Sequence, residues 1–305
     1  MARCGRPMAA PPLLRGLCAL LLSLAVSGSS RAAAADPRRV LVLVESMSLQ
    51  ATHSTFFKSL EDAGSALEFR LADEEDLRLH EWEVYKYDAL VLFAPSVEEF
   101  GGQIDVPAIL DFIDTGHDLI LAAGTSISET VREVATECGV DFDEAGTSII
   151  DHFAYNAAAG SNERTLVLSQ DYLKSEAIMG TSPPTAPVAY RGIAMSVSPE
   201  AVLVTPALYA GPSAYSARPG VPLAEVPLVA GSRAVLAALV QARNDARVLV
   251  AGSLDLFSDA FATMVVQPPP GGEDGGLPHD PGPTGNGAFV AEAATWTLHG
   301  RGQLR

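Results

Sequence analysis

Runs of consecutive apolar residues alternate along the chain with segments in which apolar residues recur at helical spacing. Such runs are typical of parallel strands buried on both faces. They lie at Val40–Val44, Leu90–Phe93, Leu119–Ala122 and Val248–Ala251. Helices are predicted between them in THSTFFKSLEDAG, VPAILDFIDTG and SETVREVATECG, with another strand in ALEFRLA. The alternation predicts a Rossmann-like α/β fold, a mostly parallel sheet with helices on both faces.

The remaining segments are less regular. The charged stretch ADEEDLRLHEWEVYKYD, residues 72–88, is predicted to be a solvated helix and loop. Further strands are predicted in RTLVL, AVLVTPALYAG and RAVLAALVQAR. Near the end, AFVAEAATWTLHG places Phe289, Ala293 and Trp296 on one face of a helix, which we expect to dock on the sheet.

The first 35 residues differ from the rest. A basic start and an uncharged, mostly apolar core at residues 16–30 are followed by small residues at Ala-x-Ala spacing. This pattern predicts a secretory signal peptide cleaved near Ala33 or Ala35. An uncleaved membrane anchor is the alternative, although the apolar core has only about half the length that spans a bilayer. We expect four parts: a signal peptide, 1–35; an α/β domain, 36–266; a flexible Pro/Gly-rich segment, 267–287; and a C-terminal helix with its tail, 288–305.

The amino-acid composition and the net charge limit the classes of partner that the chain is expected to bind. The 305 residues are 48% hydrophobic and 19% charged, which is globular, and the net charge is −17. So acidic a chain is not expected to bind nucleic acid, because that binding needs Lys and Arg on the phosphates. Outside the predicted signal peptide, Cys138 is alone. It is predicted to be a buried, unreactive thiol at the end of a helix, and pairing with another chain is the alternative.

Cofactor and metal signatures are missing. The turn after the first apolar run, ESMSLQATHS, has neither G-x-G-x-x-G nor a P-loop, so its backbone could not closely approach a pyrophosphate. The six histidines are scattered and no C-x-x-C occurs. No cofactor, metal or catalytic residue is therefore predicted.

One stretch resembles part of a hydrolase site. In AAGTSIS, Gly124, Thr125 and Ser126 match the first half of the G-x-S-x-G turn that carries a nucleophilic serine. A triad would also need a histidine, with His53 or the pair Asp151–His152 as candidates. Ser126 and Glu129 equally fit the S-x-x-E capping box at a helix start, and we favour that interpretation.

A second candidate follows the last apolar strand, in GSLDLFSD. Asp255 and Asp259 could act as an acid/base pair only if their environments separated their pKa values, and the sequence gives no sign of that. Ser258 and Asp259 are good residues for a helix start. A purely structural role would therefore account for this stretch, although ligands do bind beyond strand ends in such sheets.

Six segments together resemble a known family. In chain order they are THSTFFKSLEDAG, LVLFAPSVEEFGG, ECGVDFDE, IIDHFAYN, YRGIAM and LVQARNDARVLVAGSLDLFSDAF. They are similar, in the same order, to segments of the 48 kDa subunit family of the endoplasmic reticulum oligosaccharyltransferase. The likeness extends from about Arg39 to Phe261.

This resemblance implies a fold similar to that of class I glutamine amidotransferases, without their nucleophilic cysteine, because the strand-to-helix turn reads AAGTSIS. It implies a non-catalytic accessory subunit on the luminal side of the endoplasmic reticulum. The complex transfers a preassembled glycan from dolichyl diphosphate to the Asn of Asn-x-Ser/Thr in nascent proteins. The implied partners are its catalytic membrane subunit, the ribophorins and the small membrane subunits.

Family members continue into a second luminal domain and a membrane helix, whereas this chain stops at Arg305. We therefore expect association with the membrane through partner subunits. Two other functions stay open: a luminal serine hydrolase that uses Ser126, and a module that binds a glycan or a peptide at the strand ends near Asp255.

Overall fold

The computed structural model describes residues 36–82, 84–159, 164–181, 183–267, 269, 277, 280–300 and 302. The strands of this part are β1 Arg38–Val44, β2 Ser65–Leu71, β3 His80–Glu81, β4 Val84–Tyr85, β5 Ala89–Phe93, β6 Asp118–Ala122, β7 Val140–Phe142, β8 Ser148–Ile150, β9 Val167–Ser169, β10 Val188–Tyr190, β11 Met195–Val197, β12 Val204–Tyr209, β13 Tyr215–Ala217, β14 Val235–Gln241, β15 Arg247–Ala251, β16 Val265–Val266 and β17 Gly282–Pro283. The α-helices are α1 Leu49–Thr52, α2 Ser54–Asp62, α3 Val106–Asp114, α4 Glu129–Glu137, α5 Glu176–Met179, α6 Asp259–Ala262 and α7 Asn286–Thr297.

A nine-stranded mixed sheet forms the centre, in the order β2-β1-β5-β6-β15-β14-β11-β7, with β12 also paired to β14. The first five strands in this order, β2, β1, β5, β6 and β15, run parallel to one another. Beyond β15 the pairing is antiparallel: β14 with β15, β11 and β12, and β11 with β7. The four apolar runs thus lie side by side and parallel, which confirms the predicted α/β fold.

Both faces of this sheet are covered. Along β1, Val42 and Val44 point into the core on the first face, and Leu41 and Leu43 into the core on the second. Buried residues of α2 and α7 belong to the first core, and those of α3 and α4 to the second. Strands covered in this way must be apolar at every position, which is why their sequences read as continuous runs.

The C-terminal helix α7 packs against the first face. Phe289, Ala293 and Trp296 are all buried, as their shared helical face predicts. At the helix start, Asn286 is fully buried, and its side chain accepts a hydrogen bond from Ala189 N and donates one to Ala189 O, both at 2.8 Å. These bonds join the helix to β10 and account for a start at Asn286, two residues before the predicted boundary.

The predicted flexible segment, 267–287, lies partly outside the described residues, which omit 268, 270–276, 278 and 279. Its later part has regular structure, since Gly282–Pro283 pairs with β16.

The prediction of a solvated helix and loop at residues 72–88 is wrong. The described part contains the antiparallel strands β3 and β4, and Leu77 and Leu79 before them are buried. The Tyr85 ring lies 5.3 Å from that of Phe112. Apolar or aromatic residues occur here as two pairs with a spacing of two, 77/79 and 85/87, which is strand spacing, and the charged residues around them hide the pattern.

Cys138 is less buried than predicted. It forms the C-terminal cap of α4 and is only partly buried against the core of the second face. Burial of the thiol, together with the nearby carboxylates of Glu137 and Asp114, raises the pKa of Cys138 to about 12. The thiol is therefore protonated at neutral pH, as expected of an unreactive cysteine.

Candidate functional site

A cleft of about 290 Å³ opens at the carboxyl ends of β6 and β15, and we call it the strand-end cleft. It is lined by Gly124, Thr125, Ser126, Ser148, Thr165, Arg191, Gly192, Pro219, Leu254 and Asp255. Ser126 and Asp255, which come from two separate sequence motifs, thus line a single site. Its position agrees with the rule that ligands of such sheets bind beyond the strand ends.

Two glycines bring the cleft walls together. The Ile193 N–H donates to Gly252 O at 2.9 Å, so the turn after β10 lies directly against the end of β15. A Cβ atom on Gly192 would lie 2.1 Å from Gly252 O, and one on Gly252 would lie 2.1 Å from Ile193 O. Only glycine allows this approach of two backbones.

Ser253 fixes the same turn with its side chain. Its hydroxyl donates to Arg191 O at 2.7 Å and accepts from Leu256 N at 3.2 Å. The Gly-Ser pair after β15 therefore has a structural role. It holds Arg191 above the short 3-10 helix at Asp255–Phe257.

Arg191 and Asp255 form the charged wall of the cleft. The guanidinium donates from Nε at 2.9 Å and from Nη2 at 2.7 Å, both to Asp255 Oδ2. It also lies 5.6 Å from the ring centroid of Phe261. Arg191 was not among the predicted site residues, although it is a charged residue beside the glycine in YRGIAM, at the end of a short apolar strand.

Asp259 has different partners. Its carboxylate accepts from Ser54 N at 3.1 Å, Ser54 Oγ at 2.7 Å and Thr55 N at 2.8 Å, at the N-terminus of α2. Partial burial raises the pKa of Asp259, but the hydrogen bonds from Thr55 and Ser54 together outweigh it and leave the pKa below its usual value. Asp255 and Asp259 therefore bond to separate partners, Arg191 and the N-terminus of α2. Ser258 caps α6, as predicted, by accepting from Phe261 N at 3.2 Å.

The predicted helix cap lies two residues too early. Ser126 is exposed in a turn, and the N-cap of α4 is Ser128, whose hydroxyl accepts from Val131 N at 3.2 Å. Between them, Ile127 is buried in the core of the second face, and Ser128 N donates to Pro95 O at 2.9 Å. These contacts keep the chain extended up to Ser128, so the helix can start only at Glu129.

The proposed bases for Ser126 bond elsewhere. His53 is buried, its Nε2 lies 3.2 Å from Leu254 O, and burial lowers its pKa. His152 Nε2 lies 3.0 Å from the Tyr215 hydroxyl. Asp151 accepts hydrogen bonds from Phe153 N, Ala154 N and the Ser213 hydroxyl. In the described part of the chain the side chain of Ser126 makes no hydrogen bond with a histidine.

Across the residues the structure describes, no three His, Cys, Asp or Glu side chains gather in a group that could hold a metal ion.

Solved structures give only distant likenesses. One is a ThuA-like protein from Parabacteroides merdae, with a TM-score of 0.44 and 11% identity over 88% of this chain and 92% of that one. Another is Agd3, whose title calls it a carbohydrate deacetylase, with a TM-score of 0.42 and 11% identity over 71% of this chain and 29% of that one. The fold class rests on the strand order and helix positions described above.

Curated relatives are much closer in sequence. Three of them, from a plant, a fish and a fly, are each named dolichyl-diphosphooligosaccharide–protein glycosyltransferase 48 kDa subunit. The protein from Arabidopsis thaliana is 44% identical over 88% of this chain and 60% of its own length. Those from Danio rerio and Drosophila melanogaster are 41% and 36% identical over 75% and 82% of this chain, and 52% and 56% of their own lengths. The chain thus spans somewhat over half of the relatives it matches.

The profile of one family covers most of the chain. It is described as OST48, N-terminal domain, and matches residues 31–300. The match includes the parallel half of the sheet, its antiparallel half, the walls of the strand-end cleft and α7. The chain therefore belongs to the OST48 family, and it carries the N-terminal domain of that family.

Proposed function

We propose that this chain is a non-catalytic subunit of the oligosaccharyltransferase complex on the luminal side of the endoplasmic reticulum. The complex transfers a preassembled glycan from dolichyl diphosphate to the Asn of Asn-x-Ser/Thr in nascent proteins. The chain contributes to this reaction by binding other subunits. Family membership and the names of the curated relatives support this role.

The observation that carries the proposal is the environment of Ser126. A serine nucleophile needs a base within hydrogen-bond reach, usually about 2.6–3.2 Å. His53 and His152 instead bond to Leu254 O and the Tyr215 hydroxyl. Among the described residues that line the cleft, the one carboxylate is that of Asp255, which is paired with Arg191. This arrangement, in which neither histidine of the described residues that was considered as a base bonds to Ser126, supports a non-catalytic role.

We expect a fluorophosphonate probe to leave the purified full chain unlabelled, because no histidine of the described residues bonds to Ser126 as an activating base. Labelling is read by intact-mass spectrometry, with a serine hydrolase as the positive control and Ser126→Ala as the matched variant. Labelling that Ser126→Ala removes would show a hydrolase and contradict the non-catalytic role.

Entry into the lumen would depend on residues 1–35, which we propose to be a cleaved signal peptide and which lie outside the described residues. No helix among the described residues is both long and apolar enough to cross a membrane. Attachment to the membrane through other subunits is part of the proposal.

An exposed apolar loop offers a surface for such subunits. Between β13 and β14, Val221, Leu223, Val226 and Leu228 are all exposed, and the last two are 87% and 86% exposed. Clusters of exposed apolar side chains often mark protein interaction sites, because leaving such side chains in water is unfavourable. The loop therefore supports a role in assembly.

The test is expression of the chain in cells depleted of the endogenous 48 kDa subunit. We expect the chain to co-purify with the other subunits and to raise the occupancy of glycosylation sites. Absence of co-purification at normal expression would refute the proposed function.

We expect the double variant Val226→Asp/Leu228→Asp to reduce co-purification about tenfold. Charging two apolar contacts at an interface costs roughly 1.4 kcal/mol or more, and that amount corresponds to a factor of ten. The matched control is Val84→Asp/Val265→Asp, which makes the same change at exposed valines outside the loop. Equal losses in both double variants would show that the loop has no special role.

A further inference from the structure

The strand-end cleft contains hydroxyl groups that the protein itself leaves unused. Thr125, Ser126 and Thr165 line it, and in the described part of the chain none of their side chains forms a hydrogen bond. Thr165 is the least exposed of the three, at 8%, whereas Thr125 and Ser126 are exposed at the rim. A hydroxyl can both donate and accept a hydrogen bond, so all three can bond to a ligand that enters the cleft.

The charged wall also keeps free hydrogen-bonding groups. Arg191 uses Nε and Nη2 on a single oxygen of Asp255, Oδ2. Among the described residues, Nη1 of the guanidinium and Oδ1 of the carboxylate have no hydrogen-bond partner. The pair therefore offers one donor and one acceptor side by side. Adjacent hydroxyl groups of a ligand match this arrangement, because one can accept from the guanidinium while its neighbour donates to the carboxylate.

The charge of the cleft wall and of the whole chain disfavours an anionic ligand. Asp255 neutralises Arg191 across a contact of 2.7 Å, so the wall has no excess charge for a phosphate or a carboxylate. The chain as a whole has a net charge of −17, which also repels anions. A neutral ligand with many hydroxyl groups meets neither penalty.

The small volume of the strand-end cleft disfavours a long ligand. The cleft holds about 290 Å³, at the lower end of the roughly 300–1,000 Å³ that is usual for small-molecule sites. An extended peptide needs a groove or a free sheet edge along which its backbone can pair. This compact cleft suits one ring.

We propose that the strand-end cleft binds a single neutral sugar residue. Thr125, Ser126 and Thr165 hydrogen-bond its hydroxyl groups, and Arg191 with Asp255 hydrogen-bonds two adjacent ones. The inference deepens the proposed function and rests on it for the source of the sugar, which would be a glycan handled by the complex. Its test needs the purified chain alone, so it can fail while assembly with other subunits succeeds.

The test is saturation-transfer NMR on the purified full chain, with the methyl glycosides of glucose, mannose and N-acetylglucosamine as probes. Inorganic phosphate and the tripeptide Asn-Ala-Thr serve as comparison ligands. We expect at least one glycoside to bind with a Kd on the order of 1 mM, which is an affinity typical of few contacts, and neither comparison ligand to bind.

Two variants test the residues, each with a control at an exposed site. Thr165→Val and Asp255→Asn should each weaken glycoside binding at least tenfold. Thr136→Val and Asp141→Asn make the same chemical changes at exposed positions away from the cleft and should change the Kd less than twofold. Thermal unfolding of every variant checks that it is folded, and Ser126→Ala, at an exposed turn, replaces Thr165→Val should that variant unfold.

The inference is overturned if none of the three glycosides binds at 50 times the expected Kd (about 50 mM on the scale above). It is also overturned if both cleft variants bind the glycoside as the wild type does. Binding of phosphate or of the tripeptide in place of the glycosides would show that the cleft selects a different class of ligand.

Discussion

Asp118→Ala is expected to lower the free energy of unfolding by about 3–5 kcal/mol, the usual cost of breaking a buried ion pair. Asp118 is fully buried at the start of β6; its Oδ2 accepts from Arg38 Nη2, and its Oδ1 accepts from Arg247 N at 2.8 Å. His299 Nε2 also lies 3.2 Å from Oδ1. Without the carboxylate, Arg38 would lose its close counter-charge and Arg247 N would lose its hydrogen-bond acceptor. Urea unfolding at pH 8 measures the change.

The control for this prediction is Asp88→Ala. Asp88 pairs with Arg39 at 3.8 Å on the surface, where an ion pair contributes about 1 kcal/mol or less. A loss in Asp118→Ala no larger than in Asp88→Ala would contradict the central role of the buried cluster.

The pH dependence of stability gives a second readout of the same residue. Burial raises the pKa of Asp118 from 3.8 to about 7, although the charge of Arg38 opposes the change. The folded protein then holds this proton more tightly than the unfolded chain does. The contribution of Asp118 to stability therefore falls as the pH rises from about 4 to about 7 and levels off above that. In Asp118→Asn this part of the pH dependence should be lost.

Trp296→Ala is expected to lower the free energy of unfolding by about 3–5 kcal/mol, as is typical when a buried aromatic side chain is truncated. Trp296 is fully buried in the core between α7 and the sheet, and the Arg247 guanidinium lies 4.8 Å from its ring centroid. Its removal leaves a cavity and uncovers the planar face of Arg247. Urea unfolding followed by circular dichroism measures the loss.

Trp82 supplies the matched control, because it is 90% exposed in the turn between β3 and β4. Trp82→Ala should change the free energy of unfolding by no more than about 0.5 kcal/mol. Comparable losses in the two variants would mean that the position of the tryptophan does not matter.

The sequence predicts the parallel half of the fold well and the antiparallel half poorly. A strand buried on both faces must be apolar throughout. The strands β1, β5, β6 and β15 can therefore be recognised in the sequence as continuous apolar runs. The run at β14 is just as apolar, yet β14 is antiparallel to β15. Direction is set by how the chain returns to the sheet, and a run of apolar residues carries no information about that.

The candidate site was predictable as separate pieces only. Both Ser126 and Asp255 follow a predicted strand, which placed them at one edge of the sheet. Their shared cleft depends on Gly192 and Gly252, whose backbones meet although the residues lie far apart in sequence. The position of the α4 cap was missed for a related reason: two serines fit the start, and the burial of Ile127 decides between them.

The tie between the two ends of the domain bears on its biosynthesis. Arg38, at the start of β1, donates from Nη1 to Leu298 O at 3.3 Å, across 260 positions of the chain. At roughly 5–20 residues per second, the ribosome needs about 13–52 s to make the segment between them. Throughout that time the first face lacks α7 and its apolar side chains stay uncovered. The nascent domain would thus depend on chaperones until α7 has been synthesised, and a pause in translation before residue 286 would prolong that dependence.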